Sequence, residues 1–321
     1  MGMTERSSML EKKLGKATRD AYGEALLALG KENPNVVALD ADLSKSTKSA
    51  TFGDVFPDRF INVGIQEANL AGVAAGLAAC GKIPFISSFA SFLICKSFDQ
   101  LRMAVSYSGL NVKVIGSHGG ISLGEDGASQ MSIEDIALMT SIPNFIVSVP
   151  SDEFATRALV TQAAKVDAPV YMRTCRPKAP IIHNASTKFE FGKAIKVRDG
   201  KDLTIIAYGL MVFEALQAAE TLKESGVDAA VIDMHTIKPL DEEMLLSEAK
   251  KTGKMVVAEE HQIWGGLGSA VARFVSSHHP CKMQFVAIQD TFAESGKPED
   301  VLQKYGMTSE NIVAAAKRLL V

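Results

Sequence analysis

One carboxylate begins an otherwise apolar segment, in a position that suits proton chemistry. Residues 64–78 read Gly-Ile-Gln-Glu-Ala-Asn-Leu-Ala-Gly-Val-Ala-Ala-Gly-Leu-Ala, and Glu67 is their only charged residue. Such small side chains predict a helix that is packed tightly on all sides and has its polar residues at the N-terminal end. Glu67 is then either a solvent-exposed partner of the helix dipole or a buried acid that is kept for catalysis.

A second group of polar residues lies in a glycine-rich segment further along the chain. Residues 116–131 read Gly-Ser-His-Gly-Gly-Ile-Ser-Leu-Gly-Glu-Asp-Gly-Ala-Ser-Gln-Met and follow the apolar run Val112–Ile115, which indicates a loop leaving a strand. The five glycines of this loop let the backbone turn sharply and approach a ligand closely. The loop also has four polar side chains that suit hydroxyl binding and proton transfer: His118, Glu125, Asp126 and Gln130.

Together these two segments resemble the pyrimidine-binding domain of the transketolases, thiamine-diphosphate enzymes that move two-carbon ketol units between sugars. The most specific motif is Gly-Glu-Asp-Gly at 124–127, followed by Ser-Gln-Met at 129–131. It separates the chain from other thiamine enzymes, which share only the Glu and the general architecture. The resemblance spans residues 14–320 and includes Lys16-Ala-Thr-Arg-Asp-Ala-Tyr-Gly, Ser88-Phe-Ala-Ser-Phe, Met172-Arg-Thr-Cys-Arg-Pro, Thr236-Ile-Lys-Pro-Leu and Ser295-Gly-Lys-Pro.

The sequence lacks the motif of the other half of a transketolase. A complete transketolase has an earlier domain that binds the diphosphate and the metal, marked by Gly-Asp-Gly and a later Asn. This chain contains no Gly-Asp-Gly and no Walker-type or dinucleotide glycine motif. The resemblance therefore implies the C-terminal subunit of a split transketolase, with no metal site of its own. An N-terminal subunit would hold the diphosphate of thiamine diphosphate and Mg²⁺ or Ca²⁺, and we expect an α2β2 heterotetramer.

The resemblance assigns three residues to the cofactor. Glu67 matches the acid that binds the far nitrogen of the aminopyrimidine ring and favours the imino form of that ring. In this form the ring removes a proton from the thiazolium carbon, which becomes a carbanion. Phe89 and Phe92 match the pair that stacks on the aminopyrimidine, and we expect Phe92 to contribute more than Phe89.

The resemblance also assigns residues to the sugar phosphate. His118 and Asp126 match residues that bind donor hydroxyls, and His118 is expected to assist proton movement at the carbonyl oxygen. Gln130 lies where some members have a second His and others a Gln. Three further residues match positions that contact the substrate phosphate in the family: Arg176, Arg19 and Ser46. A guanidinium group suits a phosphate because its N–H groups can donate two parallel hydrogen bonds.

Apolar runs alternate with helical patterns along the chain, which predicts an α/β fold. The predicted strands of the first half are residues 36–39, 83–86, 112–115, 145–149 and 170–172. The helical patterns between them cover 19–31, 66–80, 91–107, 133–141 and 152–165. The strands of the second half are 203–207, 229–232, 255–258 and 283–287. We expect two doubly wound domains, a pyrimidine-binding domain at 1–187 and a transketolase C-terminal domain at 188–321.

Composition excludes several functions. Apolar residues make up 47% and charged residues 22% of the 321 residues, and the net charge is −3. Nucleic-acid binding needs a basic surface, which this charge does not provide. A membrane-spanning segment needs an apolar run of about twenty residues, and the sequence has none. The four cysteines lie too far apart for a Cys-x-x-Cys unit, and we expect Cys80 and Cys95 to be buried as small hydrophobic residues. The cytoplasm is the expected location.

Three classes of function follow from these patterns. The first is the split transketolase subunit, of which a deoxyxylulose-phosphate synthase-like fragment is a variant. The second is the β-subunit of a 2-oxo acid dehydrogenase E1 component, which has the same size and domains but no reason to carry His118 and arginines for sugar phosphates. The third is a regulatory or scaffolding homologue without activity, which the retained Glu, His, Asp and Arg positions disfavour.

Overall fold

The computed structural model describes residues 10–320, so the first nine residues of the predicted first domain lie outside the described part of the chain. The strands within this range are, in chain order, β1 (Leu14–Ala17), β2 (Val36–Asp40), β3 (Phe60–Asn62), β4 (Ile83–Phe89), β5 (Lys113–Ser117), β6 (Ile146–Ser148), β7 (Val170–Arg173), β8 (Lys178–Pro180), β9 (Ile195–Arg198), β10 (Leu203–Ala207), β11 (Ala229–Asp233), β12 (Thr236–Lys238), β13 (Lys254–Gln262) and β14 (Lys282–Ile288).

The α-helices of the same range lie between these strands. They are α1 (Thr18–Glu32), α2 (Ser44–Thr47), α3 (Ala50–Gly53), α4 (Glu67–Ala79), α5 (Ala90–Gln100), α6 (Asp135–Ser141), α7 (Glu153–Ala163), α8 (Met211–Glu224), α9 (Glu242–Thr252), α10 (Leu267–His278), α11 (Pro298–Lys304) and α12 (Ser309–Leu320). A π-helical segment, Leu101–Tyr107, continues α5, and a 3₁₀ turn, Pro57–Arg59, precedes β3.

The first half of the chain forms a seven-stranded sheet with the order β12-β6-β7-β5-β4-β2-β3. Its strands are parallel except β12, which comes from the second half of the chain and pairs antiparallel with β6. Alternate residues of β2 face opposite sides. Val36 and Ala38 pack with apolar residues of α1 and α7, whereas Val37 and Leu39 pack with those of α4 and α5. Helices therefore cover both faces of the sheet, as a doubly wound fold requires.

The second half forms a five-stranded sheet with the order β14-β13-β10-β11-β9, in which only β9 is antiparallel to its neighbour. Residues of β10 again alternate: Ile205 packs with apolar residues of α8 and α12, and Ile206 packs with those of α9 and α10. The predicted α/β class with two doubly wound domains is confirmed. The boundary between residues 187 and 188 stays a prediction, since β12 joins the sheet of the other half.

Two predicted elements differ from the structure. The pattern at 91–107 predicts one helix, but Ser97 has φ −119° and ψ 18°, outside the helical region, and the segment after Gln100 is π-helical. No strand was predicted between 172 and 203, yet this segment contains β8, Lys178–Pro180, and β9, Ile195–Arg198, of which β9 lies on the edge of the second sheet. An edge strand has one open side, so polar residues are tolerated there and hide the apolar pattern.

Helix α4 is not packed on all sides in this chain. Asn69, Gly72 and Gly76 are exposed, and a Cβ atom added at either glycine would meet no other atom within 4 Å. Cys80 at the C-terminal end of α4 and Cys95 on α5 are also exposed. The predictions of tight packing around α4 and of two buried cysteines are therefore wrong for the isolated chain, because apolar composition does not reveal which side of a helix its own chain covers.

Candidate functional site

Most predicted site residues meet at the carboxyl edge of the first sheet. Strands β2, β4, β5 and β7 are parallel neighbours in the order β7-β5-β4-β2, so their C-terminal ends share one edge. Ser46 follows β2, Phe89 ends β4, His118 follows β5 and Arg176 follows β7. Ligands of open α/β sheets bind at this edge.

Glu67 is the first residue of α4 and is only 3% exposed. The N-terminal turn of a helix favours a carboxylate because its backbone N–H groups lack partners within the helix. Its Oε1 atom is buried without a hydrogen-bond partner, and its Oε2 atom lies 3.5 Å from Nζ of Lys96. The solvent-exposed alternative is excluded: Glu67 is a buried acid with one oxygen free to bind a further group.

Aromatic rings connect Glu67 to His118. Nζ of Lys96 lies 4.6 Å from the ring centroid of Phe92, and the Phe92 and Phe89 centroids are 5.6 Å apart with an angle of 19° between the rings. Phe89 also stacks on His118, at a centroid distance of 3.9 Å. Phe92 is the more exposed of the two phenylalanines, so it has more ring surface for a ligand.

His118 is buried and held in the left-handed backbone region at φ 61°. Nη1 of Arg19 donates to Nε2 of His118 at 3.0 Å, so Nδ1 bears the hydrogen and donates to Oγ of Ser117 at 2.8 Å. Burial, with the nearby positive charges of Arg19, Arg176 and Lys48, lowers the pKa of His118 to about 3. The imidazole is therefore neutral at physiological pH and has a fixed tautomer.

Three cations surround His118. Nη1 of Arg19 also donates to the backbone oxygen of Ser46 at 3.1 Å, while its Nε is buried without a partner. Arg176 is 35% exposed, pairs with Glu125 at 2.6 Å and donates to the Leu123 oxygen at 2.6 Å. Lys48, at φ 74°, lies 3.4 Å from Asp20.

Burial lowers the pKa of Arg19, and the charge of Arg176 acts in the same direction, so these groups are close enough to repel. An anion between them would relieve this repulsion.

The two remaining predicted residues lie on the glycine-rich loop. Asp126 is exposed and lies near Arg19. Its negative charge raises the pKa of Arg19, whereas burial has the larger effect and lowers this pKa. Gln130 is partly exposed and its Oε1 accepts a hydrogen bond from Oγ of Ser129, while its backbone oxygen accepts one from Oγ of Ser91 at 3.0 Å. The structure thus places Asp126 near Arg19 of the site and Gln130 beside Ser91, next to Phe92 on α5.

The second domain fixes this loop. The buried carboxylate of Glu260 accepts hydrogen bonds from the backbone N–H groups of Ile121 at 2.7 Å and Ser122 at 2.5 Å. Arg173 binds both carboxylate oxygens of buried Asp135, at 2.9 and 2.5 Å, and donates to the backbone oxygen of Glu260 at 2.7 Å. Sequence patterns do not reveal these contacts, since Glu260 and Ile121 are 139 residues apart.

A buried aspartate holds the segment that carries Ser46 and Lys48. Asp40 at the end of β2 accepts hydrogen bonds from Oγ1 of Thr47 at 2.7 Å, Oγ of Ser49 at 2.8 Å and the N–H group of Leu43 at 2.6 Å. These bonds fix the short helix α2 and its C-terminal Lys48. Burial raises the pKa of Asp40, and the two hydroxyl groups act against this rise.

Side chains in contact form a continuous row, which we call the site row. It runs from Glu67 through Lys96, Phe92, Phe89 and His118 to Arg19. We call Glu67, Lys96 and Phe92 the acid end of the site, and Arg19 with the neighbouring cations Lys48 and Arg176 its cation end. Lys96 and Lys48 are the members that the sequence analysis missed, because an isolated Lys in a polar or helical segment carries no pattern of its own.

Comparison with known proteins identifies the family. Residues 15–181 match the model of the transketolase pyrimidine binding domain, and residues 192–312 match that of the transketolase C-terminal domain. The chain belongs to the transketolase family. This confirms the resemblance drawn from the sequence motifs and favours neither the dehydrogenase nor the synthase alternative.

Named relatives fall into two size classes. A putative transketolase C-terminal section from Methanocaldococcus jannaschii is 45% identical over 308 residues, which cover 95% of this chain and 96% of the relative. Human transketolase is 40% identical over 308 residues, which cover 95% of this chain but 49% of the relative. A solved structure titled split gene transketolase, inactive beta4 tetramer, has a TM-score of 0.90 and 48% identity, covering 95% of this chain and 99% of that one.

The family implies thiamine diphosphate and a divalent metal. The residues of the acid end fit the pyrimidine part of this cofactor, because Glu67 has a buried, unpaired oxygen and Phe92 has an accessible ring. Within residues 10–320, no group of three or more His, Cys, Asp or Glu side chains is arranged to hold a metal ion. None of the helices in that range is long and apolar enough to cross a membrane.

Proposed function

We propose that this chain is the C-terminal subunit of a two-chain transketolase. The enzyme transfers a two-carbon ketol unit from a ketose phosphate to an aldose phosphate, as in the pentose phosphate pathway, and the cytoplasm is its expected location. An N-terminal subunit would hold the diphosphate of the cofactor and Mg²⁺ or Ca²⁺, in an α2β2 heterotetramer. The observation that carries the proposal is the site row, which joins a buried acid and an aromatic surface to a cation cluster.

Two observations support the partner chain. The matched family models are the pyrimidine binding and C-terminal domains, and the C-terminal section from Methanocaldococcus jannaschii has nearly the length of this chain. The exposed glycines of α4 lie on the same helix as Glu67 and leave room for another backbone to approach closely. We infer that the partner packs on this side and encloses the partly exposed ring of Phe92, next to Glu67, which this chain already buries.

The acid end would orient and tune the cofactor. When bound, thiamine diphosphate supplies the nucleophilic carbon that receives the ketol unit. Glu67 would hold a proton at the ring nitrogen through its buried carboxyl group, and Phe92, with Phe89 behind it, would fix the plane of the ring. Burial excludes water from this hydrogen bond, which strengthens it.

The cation end would bind the substrate. Arg176, Arg19 and the Ser46 segment would contact the phosphate, since a charge-assisted bond to a phosphate is about twice as strong as a neutral one. Neutral His118 and Asp126 would bind donor hydroxyls, and Gln130 would add a hydrogen bond at the edge of the site. Because the imidazole holds no proton on Nε2, His118 can accept a hydrogen bond from the sugar whenever Arg19 turns to the phosphate.

Reconstitution tests the proposal. The purified chain alone should neither bind thiamine diphosphate tightly nor transfer ketol units. Together with a partner that carries the Gly-Asp-Gly and Asn signature, it should do both. Calorimetric titration with and without magnesium measures binding, and xylulose 5-phosphate with ribose 5-phosphate measures turnover. Micromolar binding together with ketol transfer by this chain alone would refute the two-chain assignment.

A further inference from the structure

Lys96 lies where the proposed cofactor ring has to bind. Its Nζ atom is 3.5 Å from Oε2 of Glu67 and 4.6 Å from the ring centroid of Phe92. The Lys96 side chain is 52% exposed, whereas that of Glu67 is 3% exposed. The ammonium group therefore contacts both the acid and the aromatic surface that the proposed function assigns to the aminopyrimidine.

The contact stabilises Glu67 as long as no ligand is present. A buried carboxylate without a partner is costly, because it has lost its hydration. Among the described residues, Lys96 makes the one ion pair of Glu67, and the Oε1 atom has no hydrogen-bond partner at all. Lys96 in turn makes no other side-chain hydrogen bond within residues 10–320, so its long stem is free to turn toward solvent.

The same contact opposes the proposed chemistry. The ring nitrogen has to approach the carboxyl group of Glu67, but the ammonium group of Lys96 already lies 3.5 Å from its Oε2 atom. The ammonium group also lies over the ring of Phe92, on which the aminopyrimidine would stack. Lys96 and the aminopyrimidine therefore compete for the same two partners.

We propose that Lys96 is a positioning residue that holds Glu67 in the cofactor-free chain and is displaced when the aminopyrimidine binds. The inference rests on the proposed function, since it concerns the same pocket. It adds that the affinity for the cofactor depends partly on the contact between Lys96 and Glu67, because this contact has to break before the aminopyrimidine can bind. Removing this contact should strengthen cofactor binding, whereas removing an ordinary ligand of the cofactor would weaken it.

The first test measures cofactor affinity in the reconstituted complex. Lys96→Met keeps the length of the stem but removes the charge, and it should lower Kd for thiamine diphosphate about twofold to tenfold, the cost of breaking one partly exposed ion pair. Lys96→Arg should keep the wild-type Kd, because it retains the cation. The matched control is Lys31→Met, since Lys31 is an exposed lysine at the end of α1.

The second test needs no cofactor. In the chain alone, Lys96→Met should lower Tm by about 1–2 °C, the shift expected for loss of one partly exposed ion pair in a chain of this size. In a Glu67→Gln background the same change should leave Tm unaltered, since the neutral amide needs no cation. This double-mutant cycle measures the coupling between the two side chains directly.

Failure of this inference differs from failure of the proposed function. If the wild-type complex neither binds the cofactor nor transfers ketol units, the proposed function fails and this inference falls with it. If the wild-type complex is active but Lys96→Met binds the cofactor no more tightly, or more weakly, Lys96 is not displaced and the inference is wrong. Additive effects on Tm in the cycle would also overturn it.

Discussion

The acid end and the cation end of the site are built differently. Glu67 and Lys96 belong to helices, α4 and the kinked α5, and the carboxylate of Glu67 is almost inaccessible. Arg176 and Lys48 lie on connecting segments, and their side chains are 35% and 36% exposed. Helices fix a side chain more precisely than loops do. The comparison suggests that the acid end controls the chemistry, while the cation end controls which substrates bind.

Glu67→Gln should have the largest effect. It should lower ketol transfer at least about a hundred-fold, because the amide has nearly the shape of the carboxyl group but cannot exchange its proton. The loss should be equal for a phosphorylated donor and for hydroxypyruvate, since both need the same cofactor. Turnover of the reconstituted complex with each donor provides the measurement.

The control for this variant is Glu32→Gln, which changes an exposed acid at the end of α1. Assembly with the partner should be intact in both variants, as measured by size-exclusion chromatography. Near-normal turnover of an intact Glu67→Gln complex would mean that Glu67 stabilises the N-terminal end of α4 and has no role in catalysis.

The next largest effect should distinguish the role of the cation end from that of the acid end. Arg176→Ala removes a charge-assisted contact with the phosphate, so KM for xylulose 5-phosphate should rise roughly ten- to a hundred-fold, corresponding to about 1.5–3 kcal/mol. Activity with hydroxypyruvate should be nearly unchanged, because this donor has no phosphate. Steady-state kinetics with the two donors checks the difference.

Two further variants sharpen this result. His118→Ala should impair both donor types, since His118 is assigned to the part of the sugar that both share. Arg273→Ala, at an exposed arginine of α10 in the second domain, should change neither. If Arg176→Ala harms hydroxypyruvate as severely as xylulose 5-phosphate, its pairs with Glu125 and the Leu123 oxygen are structural and the phosphate role is wrong.

The sequence predicted only some of the residues and contacts of the acid end. Glu67, Phe89 and Phe92 follow from local motifs, and the two doubly wound domains follow from alternating apolar runs. The exposed side of α4 could not be predicted, because its small residues match a buried helix equally well. Lys96 reaches Glu67 only through the fold, since 29 residues separate them.

The cation end shows a similar division. His118 and the two arginines were found through motifs, but the neutral state of His118 depends on burial and on cations from three separate segments. The contacts between the two domains could not be predicted from the sequence either. Strand β12 joins the first sheet, and Glu260 binds the loop after β5, through contacts between residues far apart in the chain.

The smallest expected effect concerns stability, and it tests whether the cation end keeps His118 neutral. The pKa of His118 is about 3 in the folded chain and near its ordinary value of 6.5 after unfolding. A depressed pKa gives stability that is present above pH 6.5 and is lost as the pH falls toward 3, because the unfolded chain then binds the extra proton. Between pH 7 and 5.5 the wild-type chain should lose about 1 kcal/mol of unfolding free energy through this group.

Urea unfolding of His118→Gln at both pH values provides the measurement. The variant should lack this part of the pH dependence, whereas His278→Gln, at an exposed histidine that ends α10, should retain it. Identical pH dependence in wild type and His118→Gln would mean that His118 titrates normally. The three cations would then not act together on His118, and the cation end would lose the feature that distinguishes it from a set of surface charges. Loss of the dependence in His118→Gln alone would instead show that burial, together with the nearby cations, lowers the pKa of His118 and keeps the imidazole neutral in the folded chain.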